Sequence, residues 1–270
     1  MNFMLLAIDI GNSSVSFGVA DVSDKDNLKI IASSKISAQK GRSADEYAVL
    51  IREILRMHLG EKNVLIDRAA ISSVVPTLTS TVAAAAHTLT GSRPFLIGPG
   101  IHTGFRIAID DPSTLGADIV ANTAAALRMM PAPLVIFDAG TANTLTVVNS
   151  DASLDGLIIM PGIRISASSL HDNAELIDSV EVSANNIPLV GKNTEQSILS
   201  GLINGNAAMV DGIVRTIRES LIPKNSEQKL GLIATGGYVA PVIARCRNKF
   251  VYDEHLTLSG IAALFSANCC

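Results

Sequence analysis

Two distant segments of this chain end an apolar strand in the same way. Leu5-Leu-Ala-Ile-Asp9-Ile-Gly11-Asn12 aligns with Leu134-Val-Ile-Phe-Asp138-Ala-Gly140-Thr141. Each is an apolar run followed by Asp, any residue, Gly and a small polar residue. Each then leads into a second strand-like run, ending at Val19 in one case and at Val148 in the other. Two related halves account for such an echo. The expected division falls near residue 115, giving domains 1–115 and 116–270.

Between the echoes, strand-like and helix-like patterns alternate, which favours an α/β architecture. Ser43-Ala-Asp-Glu46 has the spacing of a capping box, and Gly60 stops the amphipathic run that follows. Ala69–Val75 reads as a buried strand. Pro76 suits the first turn of the alanine-rich helix after it. Further helices are expected over Ala117–Met130 and Thr257–Ala267. Thr194–Leu221 is mainly helical, with an interruption near Gly205. Leu230–Ala234 is a strand leading into Thr235-Gly236-Gly237.

The charge balance narrows the partners. A net charge of -4 without a Lys/Arg-rich run argues against nucleic acid as the main one. The apolar run before Asp9 is too short for a signal peptide. No stretch has the length, about 18 apolar residues, of a membrane span. Cys246, Cys269 and Cys270 form no CxxC pair, so neither a disulfide framework nor a zinc site is expected, and a reducing cytoplasmic location follows.

A strand ending in Asp-x-Gly suits phosphate chemistry. Glycine lets a phosphate approach the backbone closely. Successive N–H groups, with the Ser13 and Ser14 hydroxyls, can bond its oxygens. The carboxylate can hold a hydrated Mg²⁺. A single such turn is more often an ordinary strand end, and its repetition reverses the balance. Thr235-Gly236-Gly237 offers a flat adenine ring close approach, though a plain strand-to-helix turn reads the same way.

These residues, taken in order, resemble the type III pantothenate kinases, or Bvg accessory factor family, within the actin-like ATPase fold. The likeness runs through Asp9-Ile-Gly-Asn-Ser13, Gly98-Pro-Gly with Thr103-Gly104, Gly116-Ala-Asp118 and Asp138-Ala-Gly-Thr141 with Thr144. It continues in Met160-Pro-Gly162, Asn193-Thr-Glu195, Ser200-Gly201, Val210-Asp-Gly212, Ala234-Thr-Gly-Gly237 and Leu256-Thr-Leu-Ser-Gly260. It implies two duplicated actin-like (ribonuclease H-like) domains with an active-site cleft between them, in a cytoplasmic homodimer. The implied reaction transfers the ATP γ-phosphate to the primary hydroxyl of pantothenate, giving 4'-phosphopantothenate, the first step towards coenzyme A.

The resemblance also distributes roles. Asp118 is the implied base. The nucleotide positions are Asp9, Ile10, Gly11, Asn12, Ser13, Ser14, Val15, Ser16 and Thr141. Asp9 supports Mg²⁺ through water, and Asp138 holds a monovalent cation, K⁺ or NH₄⁺. Pantothenate is contacted by Gly116, Ala117, Asp118, Ile119 and Thr194. Thr194 also suits the cap of the helix that follows. Because Asp118 opens a helix, its N-terminal dipole is expected to stabilise the carboxylate rather than raise its basicity.

Three departures bear on the substrate. Ile119 stands where the family commonly has an arginine that binds the pantothenate carboxylate. Losing such a charge-assisted bond costs about 1.5–3 kcal/mol, roughly tenfold to a hundredfold in affinity. Arg106, Arg164 and His102 are candidate substitutes. Thr146 replaces a frequent Asp. Residues 170–177 differ from the usual pattern and include His171, expected to face solvent on a helix. Three functions stay open on this reading: an active pantothenate kinase, an actin-fold kinase with a drifted acceptor, and a non-catalytic nucleotide-binding accessory homologue.

Overall fold

The repeated pattern becomes a repeated topology. The computed structural model describes residues 4–60, 65–174, 178, 180–182, 187–223 and 226–269. β1 (Met4–Ile10), β2 (Ser14–Asp21), β3 (Lys29–Ser37), β4 (Ile66–Ser73) and β5 (Phe95–Leu96) form one sheet in the order β3-β2-β1-β4-β5. β6 (Leu134–Ala139), β7 (Ala142–Val148), β8 (Leu154–Pro161), β9 (Gly231–Thr235) and β10 (Val251–Tyr252) form another, in the order β10-β9-β6-β7-β8. Read from its other edge, the second sheet has the strand order of the first. In each, two antiparallel pairings precede two parallel ones.

The contacts divide the chain into a first unit, Met1–Met129 with His255–Cys270, and a second, Met130–Glu254. This differs from the expected division at 115/116. The reason is packing: α3 (Ala117–Met129) and α8 (Leu256–Cys269) share one apolar cluster with β1. Both helices therefore belong to the first unit.

Alternation along β1 explains that unit. Leu6, Ile8 and Ile10 face α1 (Ala44–Leu59) and α2 (Pro76–Thr90), where Tyr47, Ile51, Leu78 and Val82 meet them. Leu5 and Ala7 face the other way, onto Val120 and Ala121 of α3 and Ile261 of α8. With both faces covered, β1 reads as an unbroken apolar run. Asp9, two residues past Ala7, shares the α3/α8 face by the same alternation. The α1 capping box is present: Ser43 Oγ accepts from Glu46 N–H at 3.3 Å, and Glu46 Oε2 accepts from Ser43 N–H at 2.7 Å.

In the second unit, Val135, Phe137 and Ala139 of β6 and Leu145 of β7 pack under α5 (Thr194–Ser200), α6 (Asn206–Leu221) and α7 (Val239–Ile243). The interruption expected near Gly205 is a π-helical turn, Gly201–Gly205, which keeps α5 and α6 in one run. Asn206 Nδ2 donates to the Leu202 carbonyl at 2.6 Å across that turn. Thr194–Leu221 has the length and composition of a membrane span, yet half of its most apolar window is buried in the protein. A core helix has that character. α4 (Ile163–Asn173) precedes it, with His171 exposed; Glu175–Ile177 of the departing segment lie outside the described residues. Cys246 is buried, and burial with the Asp211 charge pushes its thiol up to about 12. It therefore acts as a small apolar side chain, while Cys270 lies outside the described residues.

Candidate functional site

The β1–β2 turn is built from the backbone outward. Gly11 N–H donates to the Ser14 carbonyl at 2.9 Å, closing a short reversal in which Asn12 and Ser13 are exposed. Ile10 and Val15 are fully buried in the core. Of the expected nucleotide positions 9–16, these two thus offer only backbone groups. Asp9 lies opposite Ser72 on the parallel neighbour β4, and buried Ser72 Oγ donates to Asp9 Oδ1 at 2.9 Å. Ser72 carries no signal of this role in the sequence, because the role depends on cross-strand register. The turn lies at the carboxyl end of a parallel pair, where open α/β sheets bind ligands.

Asp118 opens α3 on the same side of the sheet. Its Oδ1 accepts from Ile119 N–H at 2.8 Å. Burial nevertheless raises its affinity for a proton above the ordinary carboxylate value, outweighing the backbone N–H bonds that lower it. The expectation of a stabilised carboxylate is therefore corrected: desolvation outweighs the backbone N–H groups at the helix start. Ala117 and Ile119, which flank it, are buried.

Gly116 leaves room for that carboxylate. A Cβ there would collide with Asp118 Oδ1 and stand 3.4 Å from Val74 Cγ1. The smallest relief is rotation of the carboxylate off Ile119 N–H. Gly116→Ala is therefore expected to slow any reaction in which Asp118 meets a substrate hydroxyl by about 10²-fold, the usual cost of misplacing a reacting group by an ångström. Steady-state ADP release, with ADP affinity as the control, measures it.

In the second unit, Asp138 is the penultimate residue of β6 and Thr141 is exposed in the turn to β7. Gly140 N–H donates to the Ala142 carbonyl at 3.1 Å, so this reversal is one residue tighter than the Gly11–Ser14 one. Two glycines press against it. A Cβ on Gly236, whose φ is +102°, would lie 2.6 Å from both Asp138 Oδ1 and the Ala139 carbonyl oxygen. A Cβ on Gly162 would collide with the Thr141 carbonyl and stand 2.6 Å from that of Gly140. Thr144 pairs with Asp138 across the hairpin, and its Oγ1 is buried with no hydrogen-bond partner among the described residues.

Thr194 is exposed at the first turn of α5, but it is not the cap. Asn193 is, with its Oδ1 accepting from Gln196 N–H at 2.8 Å. Thr194 instead helps line a cavity of about 700 Å³ with Pro161, Ile165, Leu170, Leu202 and Asn206. Among the candidate carboxylate partners, His102 has its backbone N–H and carbonyl tied to the Asn268 side chain. Arg164 is exposed on α4 beside Ile165 and does not line the cavity. Among the described residues no group of three His, Cys, Asp or Glu forms a metal cage.

Comparison with known proteins follows the same lines. A family model described as type III pantothenate kinase matches residues 5–216. Relatives called type III pantothenate kinase from Syntrophotalea carbinolica and Pelobacter propionicus are 34% and 35% identical to this chain, each over 98% of it and over 99% and 100% of their own lengths. Among solved structures, a conserved putative Baf family transcriptional activator from Campylobacter jejuni superposes with a TM-score of 0.53 at 18% identity, covering 96% of both chains. The activator of the 2-hydroxyisocaproyl-CoA dehydratase from Clostridium difficile, with bound ADPNP, gives 0.55 at 13% identity over 98% of this chain and 94% of that one. At such identities these two speak for the fold alone, an actin-like arrangement of two related α/β units.

Proposed function

This chain belongs to the type III pantothenate kinase family, and from that premise we propose that it transfers the ATP γ-phosphate to the primary hydroxyl of pantothenate with Asp118 as the base. The observation that carries the assignment of roles is the placement of Asp9 and Asp118 on one face of the first sheet, one ending β1 and the other opening α3.

In the transfer, the acceptor oxygen bonds to the γ-phosphorus and the bridge to the β-phosphate breaks, releasing ADP. The hydroxyl proton passes to Asp118. Because the transition state is loose, that proton leaves late and the base chiefly orients the hydroxyl. A desolvated carboxylate with raised proton affinity suits this step. The N–H groups of residues 11–14, the exposed Asn12 and Ser13 side chains, and Thr141 hold the phosphates. Gly116 to Ile119 and Thr194 contact pantothenate.

The residues present fit both cations. Asp9, held by Ser72, offers the single carboxylate typical of a Mg²⁺ that otherwise keeps water and phosphate oxygens. Asp138 Oδ1 and the Ala139 carbonyl crowd the same glycine, and the orphaned Thr144 Oγ1 lies across the hairpin from them, an oxygen-rich set suited to K⁺ or NH₄⁺. When bound, both ions supply positive charge to an anionic substrate in turns that carry no lysine. The family likeness supports a homodimer, and three cysteines without a CxxC pair suit a reducing, cytoplasmic location.

The test is pantothenate-dependent ADP release by the purified chain in potassium, ammonium and sodium buffers. Turnover in the first two and little in sodium is expected. ADP binding without pantothenate-dependent release in any buffer overturns the reading and leaves a nucleotide-binding accessory protein.

A further inference from the structure

The β1–β2 turn is tied, through two loop residues, to a buried hydroxyl on α1. Antiparallel pairing of β2 with β3 begins at Ser14 opposite Ser37, and one further bond carries it into the turn: Ala38 N–H donates to the Ser13 carbonyl at 3.1 Å. A trans peptide aims its N–H opposite to its C=O. Holding the Ser13 carbonyl towards β3 therefore points the Ser14 N–H away from β3, into the turn that the Gly11 bond closes.

Residues 37–39 are in turn held by α1 and the loop before it. Tyr47 is fully buried, yet its hydroxyl directs both of its bonds to the backbone of one exposed loop residue. It accepts from Gln39 N–H at 2.9 Å and donates to the Gln39 carbonyl at 3.0 Å. The Arg42 guanidinium lies over the Tyr47 ring, 5.7 Å from its centroid, and Arg42 Nη1 donates to the Ser37 carbonyl at 3.1 Å. Ala38 is thus held from both sides while its methyl packs against the core. Filling that core requires only the ring, which phenylalanine would supply equally well. The hydroxyl adds no apolar area; what it adds is the position of Gln39.

We propose that the Tyr47 hydroxyl is a positioning group for the nucleotide phosphates, acting through Gln39 and Ala38 on the Ser13–Ser14 peptide. The inference rests on the reading in which the β1–β2 turn holds those phosphates. Without the hydroxyl, residues 38 and 39 lose their anchor, the Ser13 carbonyl is released, and the Ser14 N–H no longer keeps a fixed direction.

The experiment measures the affinities of wild type, Tyr47→Phe and Val82→Ala for ADP and for adenosine by calorimetry, well below each melting temperature. Wild type is expected to bind ADP more tightly than adenosine. Tyr47→Phe is expected to lose about tenfold in ADP affinity, the effect of weakening one charge-assisted hydrogen bond, with adenosine affinity unchanged. Val82→Ala removes volume from the same core on α2, and is expected to melt lower but keep the wild-type ratio of the two affinities. In steady state, KM for ATP should rise about tenfold in Tyr47→Phe while kcat stays within about threefold. A Tyr47→Phe protein with the wild-type ratio overturns the inference and leaves the kinase reading standing. So does a Val82→Ala protein whose ratio falls as far, since any loosening of the core would then suffice. A wild type that binds ADP no more tightly than adenosine overturns the phosphate role of the turn and the inference with it.

Discussion

Asp118→Asn is expected to cut pantothenate-dependent turnover by about 10²–10⁴-fold, the range for a positioned general base, while ADP still binds. The same substitution is expected to leave the fold as stable as wild type at neutral pH, or more so. Burial raises the Asp118 proton affinity in the folded chain above its ordinary value of 3.8, and the Ile119 N–H bond only partly offsets this. A carboxyl group whose folded value is raised binds its proton more tightly in the native state. Its contribution to stability is therefore largest when protonated and falls as pH rises through the two values. At pH 7 the charged side chain is a burden on the fold. Asparagine removes the burden and its Oδ1 still accepts from Ile119 N–H. Activity lost without stability lost separates a catalytic role from a structural one. The pH dependence of kcat/KM adds a second readout: its acid limb should lie above the ordinary aspartate value and vanish from any residual activity of the variant. Retention of activity within about tenfold removes Asp118 from the mechanism, and lost activity with a lower melting temperature reassigns it to the fold.

How far the sequence discloses this site depends on the range of each interaction. The β1–β2 and β6–β7 reversals are legible because strand, Asp, Gly and returning strand are contiguous. The duplication inferred from them holds down to strand order. The Asp9–Ser72 bond, by contrast, depends on the parallel register of β1 with β4, and two adjacent serines after an apolar run carry no sign of it. Tyr47 in α1 and Ser13 in the β1–β2 turn are joined through Gln39 and Ala38, and alone Tyr47 reads as an ordinary core residue. Ile119 shows the opposite failure. Its type suggests a core position, as its burial bears out, but only the comparison with an expected arginine makes it informative. Local chemistry also misled at Asp118, where a helix start implied a stabilised carboxylate and burial reversed the sign.

The contact that joins α8 to α3 in the first unit leaves no room for a side chain at one position. Gly260 in α8 sits against the backbone of α3. A Cβ there would collide with the Ala121 carbonyl and stand 2.9 Å from Ala121 Cα. Backbone cannot rotate aside as a side-chain tip can, so the helices must separate and loosen the apolar layer of Val120, Ala121, Ile261 and Leu264. Two effects oppose each other in Gly260→Ala. Helix propensity favours alanine by about 0.8–1 kcal/mol, whereas overpacking costs typically about 1–3 kcal/mol and more where backbone must move. Packing is expected to win, with a net loss of about 2 kcal/mol, and Gly260→Val should leave the first unit unfolded. Gly212 in α6 supplies the control, since a Cβ there meets nothing within 4 Å. Gly212→Ala should gain about 0.5–1 kcal/mol from propensity alone. Thermal melts of the two alanine variants should therefore move in opposite directions. A Gly260→Ala protein that melts higher than wild type would show that α3 and α8 are not in backbone contact. Because Asp118 is in the first turn of α3, the surviving Gly260→Ala protein should also lose turnover beyond what its folded fraction explains, as a base carried on a displaced helix must.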